Sequence, residues 1–176
     1  MSLFQQLRNL ADQNGLRFLV IGGHAVIEHG FQRGTEDADI LVSKEDRSQW
    51  MQQIESLGYP VRHDGGAFIQ FEPVTAGAWE LDLMLVPADV FDRLQATAKP
   101  ARMEGAAVAV PSLAHLLALK IHALKHGHGL RVLKDITDVT QLLTANRVDP
   151  KSVWLQELFQ KHGDKELYER VLKLLS

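Results

Sequence analysis

Asp37 and Asp39 stand two residues apart in the segment TEDADILV, and Asp82 lies in WELDLMLV. Side chains two apart on a strand emerge on one face, so an extended DADILV would present both carboxylates side by side. Asp82 is flanked by Leu81 and Leu83, which would point the opposite way and present it from a buried element. If the two strands are neighbours, the three carboxylates converge. Adjacent anions repel unless a cation lies between them. Hard oxygen donors of this kind suit Mg²⁺ or Mn²⁺, which commonly bridge protein carboxylates and substrate phosphates. An Asp-x-Asp pair at a strand start can also be a turn or capping pair that holds no metal.

Upstream, Gly22-Gly23 joins an apolar run to a helical pattern. Backbone N–H groups exposed at a helix N-terminus form a natural phosphate site, and glycines let a phosphate approach them. A phosphate cradle and a divalent-metal cluster together describe a nucleoside triphosphate site. Arg33 would stand near the cluster as a counter-charge or phosphate contact, or as a loop arginine supporting the turn. His115, His122 and His126 share one helical face, but no carboxylate or cysteine completes a familiar zinc pattern, and they read as surface and interface residues.

The elements that must position these residues are legible as alternating patterns. Leu3, Phe4, Leu7, Leu10 and Ala11 mark an amphipathic helix that Asn14-Gly15 stops. Residues 17–21 read as a strand, followed by the glycine turn and a helix through Ala25, Val26, Ile27 and His29. A second strand covers Asp37 to Ser43, and a second helix carries Trp50, Met51, Ile54 and Leu57 before Gly58. Runs at 59–64, 67–72 and 79–86 are strand-like and predict a mainly antiparallel continuation of the sheet. Pro87 fits the first turn of a short helix, and Ala106 to Val110 reads as a further strand. From Ser112 onward the spacing is helical throughout. The expected organisation is an α/β core over residues 1–110 and a helical annex over 111–176.

With 176 residues and 45% hydrophobic content the chain suits one domain with an annex. It has no cysteine, which excludes disulfides and thiolate metal sites and makes the cytoplasm the default expectation. No apolar stretch approaches the roughly 20 residues needed to span a bilayer, and the start lacks a secretory pattern, so no membrane association is expected. A net charge of −3 disfavours a general nucleic-acid binder, although Lys161, Lys165, Arg170 and Lys173 can form a local basic face.

The segment VIGGHAVIEHGFQRGTEDADILV followed by ELDLM resembles the DNA polymerase β-like nucleotidyltransferase superfamily, and more narrowly the abortive-infection toxin nucleotidyltransferases of bacterial toxin–antitoxin systems. That resemblance implies an α/β nucleotidyltransferase fold with a mixed sheet flanked by helices. Its pattern of Gly-Gly, R-x-[ST]-x-D-x-D and a later carboxylate falls on Gly22, Gly23, Arg33, Thr35, Asp37, Asp39 and Asp82. Its K-x-x-A and [KR]-D-x-x-D segments fall on Lys120 and Ala123, and on Lys134, Asp135 and Asp138. By resemblance Lys120 touches nucleotide phosphates and Asp135 helps position it. Lysine in so apolar a helix can also simply snorkel to solvent, and Asp135 and Asp138 can pair with Arg131 and Lys134 along an exposed helix. Many relatives have serine shortly after the glycines, where this chain has His24 and Ala25; phosphate binding then falls to the backbone, His24 or Thr35. The implied activity is metal-dependent transfer of a nucleoside monophosphate to an acceptor hydroxyl on tRNA, a protein or a small molecule, with an antitoxin as possible partner. The alternative is an inactive nucleotide-binding or partner-binding module on the same fold.

Overall fold

The computed structural model describes residues 1–176. They form two compact units, one made of Met1–Ala25 and Arg33–Ser112, the other of Val26–Gln32 and Leu113–Ser176.

The first unit opens with helix α1 (Leu3–Asn14). Ser2 caps it through a reciprocal box with Gln5, and Gly15, at φ 65°, ends it in the left-handed conformation that a residue without Cβ adopts at little cost. Leu3, Phe4, Leu7 and Ala11 are buried, as the spacing predicts, while Leu10 is only half-buried. Strand β1 (Leu19–Val20) leads into helix α2 (Gly22–Glu28), which begins at the glycine pair itself. Strand β2 (Asp37–Ser43) is followed by a 3₁₀ turn and helix α3 (Arg47–Ser56). Strands β3 (Val61–Asp64), β4 (Phe68–Phe71) and β5 (Glu80–Val86) complete a five-stranded sheet in the order β1-β2-β5-β4-β3. The sheet is mixed: β5 inserts beside β2 in parallel, and the other neighbours are antiparallel.

Helix α4 (Ala88–Ala96), with Pro87 at its cap, leads to a hairpin of β6 (Lys99–Met103) and β7 (Ala106–Val110). One sheet face is dry. Ala38 and Ile40 of β2, Leu81 and Leu83 of β5 and Ile69 and Phe71 of β4 are fully buried, as are Trp50 and Ile54 of α3 and Phe91 of α4. Burial of such side chains contributes roughly 1.5–3 kcal/mol each before entropy is counted. This apolar layer fixes the strand register and leaves polar side chains only the opposite face.

The second unit is helical: α5 (Leu113–His126), α6 (Leu130–Ala145), α7 (Val153–His162) and α8 (Lys165–Leu175). Leu117, Ile121, Val139, Leu142, Leu155 and Phe159 form its core. Helices α5 and α7 approach closely at Gly163, where a Cβ would lie 2.8 Å from Ile121 Cγ2, and Lys125 Nζ donates to the Gly163 carbonyl at 3.0 Å. No helix is long and apolar enough to cross a membrane.

His162, at the end of α7, gives this packing a pH dependence. Burial lowers its pKa below the usual 6.5, and the charges of Lys161, His122 and His115 act in the same direction. The unfolded chain therefore takes up this proton first, so stability present above about pH 6.5 is lost as the pH falls through the folded-state pKa. Thermal unfolding followed by circular dichroism should show the midpoint dropping on acidification below about pH 6.5. A shallower drop is expected for His162→Gln, and identical profiles for the two proteins would refute this assignment.

Candidate active site

The parallel pairing of β2 with β5 sets the central geometry. Its register places Asp39 opposite Asp82 and Asp37 opposite Glu80. On the other side of β5, Gln70 of β4 stands opposite Asp82, and its Nε2 donates to Asp82 Oδ1 at 3.5 Å. Because strand side chains alternate, Asp37, Asp39, Glu80, Asp82 and Gln70 share the half-buried face, opposite the dry one. Arg62 Nη1 pairs with Glu80 Oε1 at 3.0 Å, so Glu80 is neutralised in place while the aspartates form the acidic row.

The glycine pair packs directly onto this row. Gly22 has φ 60°, and a Cβ there would overlap the Asp39 carboxylate oxygen Oδ2. A Cβ at Gly23 would lie 2.5 Å from Thr35 Oγ1 and 3.2 Å from Arg33 Nη1. The Ile21 N–H donates to the Asp39 carbonyl at 2.9 Å, holding the turn against the strand. Thr35 Oγ1 donates to the Asp37 carbonyl at 3.3 Å, and Arg33 Nη1 to the Gly34 carbonyl at 2.9 Å. The structure thus gathers Gly22, Gly23, Arg33, Thr35, Asp37, Asp39 and Asp82 around the head of β2. Alanine at Gly22 must both adopt an unfavourable backbone conformation and displace the Asp39 carboxylate. Gly22→Ala should therefore lose nucleotide binding in a calorimetric titration, and retention of wild-type affinity would show the close packing to be incidental.

His24 lies among aromatic rings beside the turn. Its ring meets Phe4 edge-on, with centroids 4.9 Å apart, and lies tilted on Trp79, also at 4.9 Å. Its Nε2 is buried without a hydrogen-bond partner. Burial lowers its pKa; Glu104 opposes this, Arg33 reinforces it and Asp37 opposes it. The imidazole is consequently neutral near pH 7.

Lys120 and Asp135 lie in the helical unit. Lys120 Nζ sits 2.8 Å from Asp135 Oδ1 and 2.7 Å from Asp138 Oδ2, with side-chain exposures of 11%, 6% and 1% for the three residues. The lysine neither snorkels to solvent nor leaves the aspartates on an exposed face. Arg131 reaches Asp135 only at 3.9 Å. His122 and His126 stack their rings at 4.5 Å, as their four-residue spacing dictates.

No three His, Asp or Glu side chains are grouped so as to hold a metal ion by themselves. The donors still fit Mg²⁺ or Mn²⁺. Mg²⁺ commonly uses one or two carboxylates and completes its shell with water and substrate phosphate, so a full protein cage is not required. Asp39 and Asp82, on neighbouring positions of one face, supply that pair, with Asp37 two residues along. A separate groove of about 490 Å³, lined by Lys44, Glu45, Arg47, Gly66, Ala67 and Leu85, lies at the far ends of the same strands.

Sequence reasoning missed Gln70 and Glu80. Neither carries a motif, and only the strand register brings them to the aspartates.

Among solved structures, the fold is similar to ANT(2")-Ia in complex with adenylyl-2"-tobramycin, at 18% identity and a TM-score of 0.66, covering 90% of this chain and 96% of that one. It is also similar to the lincomycin-bound lincosamide antibiotic adenylyltransferase LnuA, at 15% identity and a TM-score of 0.55, covering 80% of this chain and 98% of that one. An antigenic nucleotidyltransferase-like protein from Paracoccidioides brasiliensis matches at 18% identity and a TM-score of 0.55, with 95% and 88% of the two chains covered. At these identities the likeness establishes the nucleotidyltransferase fold. No curated protein matches the sequence. A family match runs over residues 2–175, almost the whole chain, and by it the protein belongs to the family described as uncharacterised nucleotidyltransferase.

Proposed function

We propose that this nucleotidyltransferase moves a nucleoside monophosphate from a nucleoside triphosphate to a hydroxyl of a small-molecule acceptor, using Asp37, Asp39 and Asp82. The observation that carries the reading is the pairing of Asp39 with Asp82 on one sheet face, against a glycine turn with no room for a side chain. The triphosphate would lie over Gly22 and Gly23. Arg33, whose guanidinium borders Gly23, offers it positive charge, and Thr35 holds the loop that carries both residues' neighbours. Mg²⁺ or Mn²⁺ held by Asp37, Asp39 and Asp82 would supply charge neutralisation for the phosphates. Asp82, steadied by Gln70, accepts the proton of the acceptor hydroxyl as its oxygen attacks the α-phosphorus. The new P–O bond forms as the α–β anhydride bond breaks, and pyrophosphate leaves.

Two points support a small acceptor. The net charge of −3 disfavours an extended RNA. Two structurally similar proteins are seen with antibiotics bound, an adenylylated tobramycin and lincomycin. The match of Lys120, Asp135 and Asp138 to the toxin-type motifs favours a second reading, in which the acceptor is tRNA or a protein and an antitoxin restrains the enzyme.

The test is incubation with each triphosphate, labelled at the α-phosphorus, and Mg²⁺, against hydroxyl-bearing small molecules, tRNA and the protein itself. Label on a small molecule, absent with Asp82→Asn, is expected. Label confined to tRNA or protein, with growth arrest on expression, selects the second reading. Label on no acceptor, with no pyrophosphate released, overturns both.

A further inference from the structure

Trp79 is a partly buried aromatic residue beside the glycine turn's helix. It follows an exposed loop, residues 74–78, and immediately precedes β5, one position before Glu80, the register partner of Asp37. Phe4 and Leu7 beneath it are fully buried, whereas Trp79 itself is only partly buried. It is braced from one side by two rings in series. His24 lies tilted on it at 4.9 Å, and Phe4 meets it edge-on at 6.2 Å. His24 directly follows the Gly22-Gly23 turn and feels the charges of both Arg33 and Asp37. The indole is therefore braced by two rings, the nearer of them on the residue that follows the glycine turn.

We infer that Trp79, backed by His24 and Phe4, is the stacking platform for the nucleobase of the triphosphate. This rests on the proposed seating of the triphosphate at the glycine turn. A base lies one ribose beyond the α-phosphate, and Trp79 is in ring contact with the residue that directly follows the turn. Stacking tolerates any base because each has a π face, so the platform holds all four triphosphates and favours the larger purines. It raises affinity for the nucleoside end and leaves the phosphate end to Gly22, Gly23 and Arg33.

Intrinsic fluorescence tests this in a Trp154→Phe background, where the remaining tryptophans are Trp79 and the fully buried Trp50. With Mg²⁺ present, ATP, GTP, CTP and UTP should quench the emission, and inorganic tripolyphosphate should bind without quenching. Trp79→Leu should weaken triphosphate binding by roughly tenfold or more, towards the affinity of tripolyphosphate, which itself should not change. Trp79→Phe should keep most of the affinity and lose the quenching. Equal affinity of wild type and Trp79→Leu for ATP, or wild-type affinity for ATP no greater than for tripolyphosphate, overturns the platform and leaves the phosphate site standing. Failure of both ATP and tripolyphosphate to bind the wild type overturns the seating at the glycine turn, and the platform with it.

Discussion

Asparagine at Asp39 or Asp82 is expected to reduce nucleotidyl transfer by at least about a hundred- to a thousand-fold, the scale seen when one preorganised electrostatic group is removed from an active site. The same changes should leave the fold intact. Asparagine has the shape of aspartate, and the dry face of the sheet, which holds β2 against β5, is untouched by either change. The two carboxylates are direct neighbours across the β2–β5 pair, and like charges so placed destabilise a sheet. In metal-free buffer the thermal midpoint should accordingly stay level or rise in each variant, while stabilisation by Mg²⁺ with triphosphate is lost. Activity measured together with thermal unfolding separates this from a structural role. A variant that loses activity and midpoint together would mark the aspartates as scaffold residues.

Lys120→Met should be the most destabilising single change in the helical unit. The ammonium is shared by Asp135 and Asp138, and all three side chains are nearly inaccessible. Removing it leaves two carboxylates in a low-dielectric site, a loss of about 3–5 kcal/mol, which is a large part of the total stability of an ordinary domain. Replacing the whole group, as Lys120→Met with Asp135→Asn and Asp138→Asn, removes the uncompensated charge and should recover much of that loss. Urea unfolding of the single and triple variants gives both numbers. A single-variant loss below about 1 kcal/mol, the range of exposed pairs, would contradict the burial of this cluster.

The first of these sites is largely legible in the sequence; for the second, the resemblance implies that Asp135 positions Lys120, but the burial of the group is not legible, for a physical reason. Period-two alternation fixes which side chains share a strand face, so Asp37 and Asp39 could be placed together from TEDADILV alone. That Asp82 stands opposite Asp39 depends on β5 inserting beside β2 in parallel, a long-range pairing that no local pattern encodes. The runs at 59–64, 67–72 and 79–86 are recognisable as strands of a mainly antiparallel continuation, and which of them makes the one parallel contact with β2 is not. Strand β6 shows no apolar alternation in the sequence, and its Pro100, which has no N–H for a ladder, is tolerated in a two-stranded hairpin whose strands are both edges. The observed strand begins at Glu80 and leaves Trp79 outside it.

In α6, Asp135 and Asp138 fall on the same stripe as Ile136, Val139 and Leu142 and are buried with them. Charge alone suggested a solvated face with Arg131 and Lys134. The partner that makes burial tolerable, Lys120, is on another helix, 15 residues away from Asp135 in sequence. Residues 26–32 likewise join the helical unit although they adjoin the glycine turn in sequence. Asn146 Nδ2 donates to the His29 carbonyl at 2.8 Å, a bond that spans 117 residues.

On the proposed function, the aspartates at the head of β2 and the glycine turn form one triphosphate site. Calorimetric titration of each nucleoside triphosphate with Mg²⁺, on the wild type and on the Asp37→Asn, Asp39→Asn double variant, puts this to the test. Mg²⁺-dependent binding to the wild type should disappear in the double variant while the circular dichroism spectrum is unchanged. Equal binding by both proteins, or no binding of any triphosphate to the wild type, would contradict it.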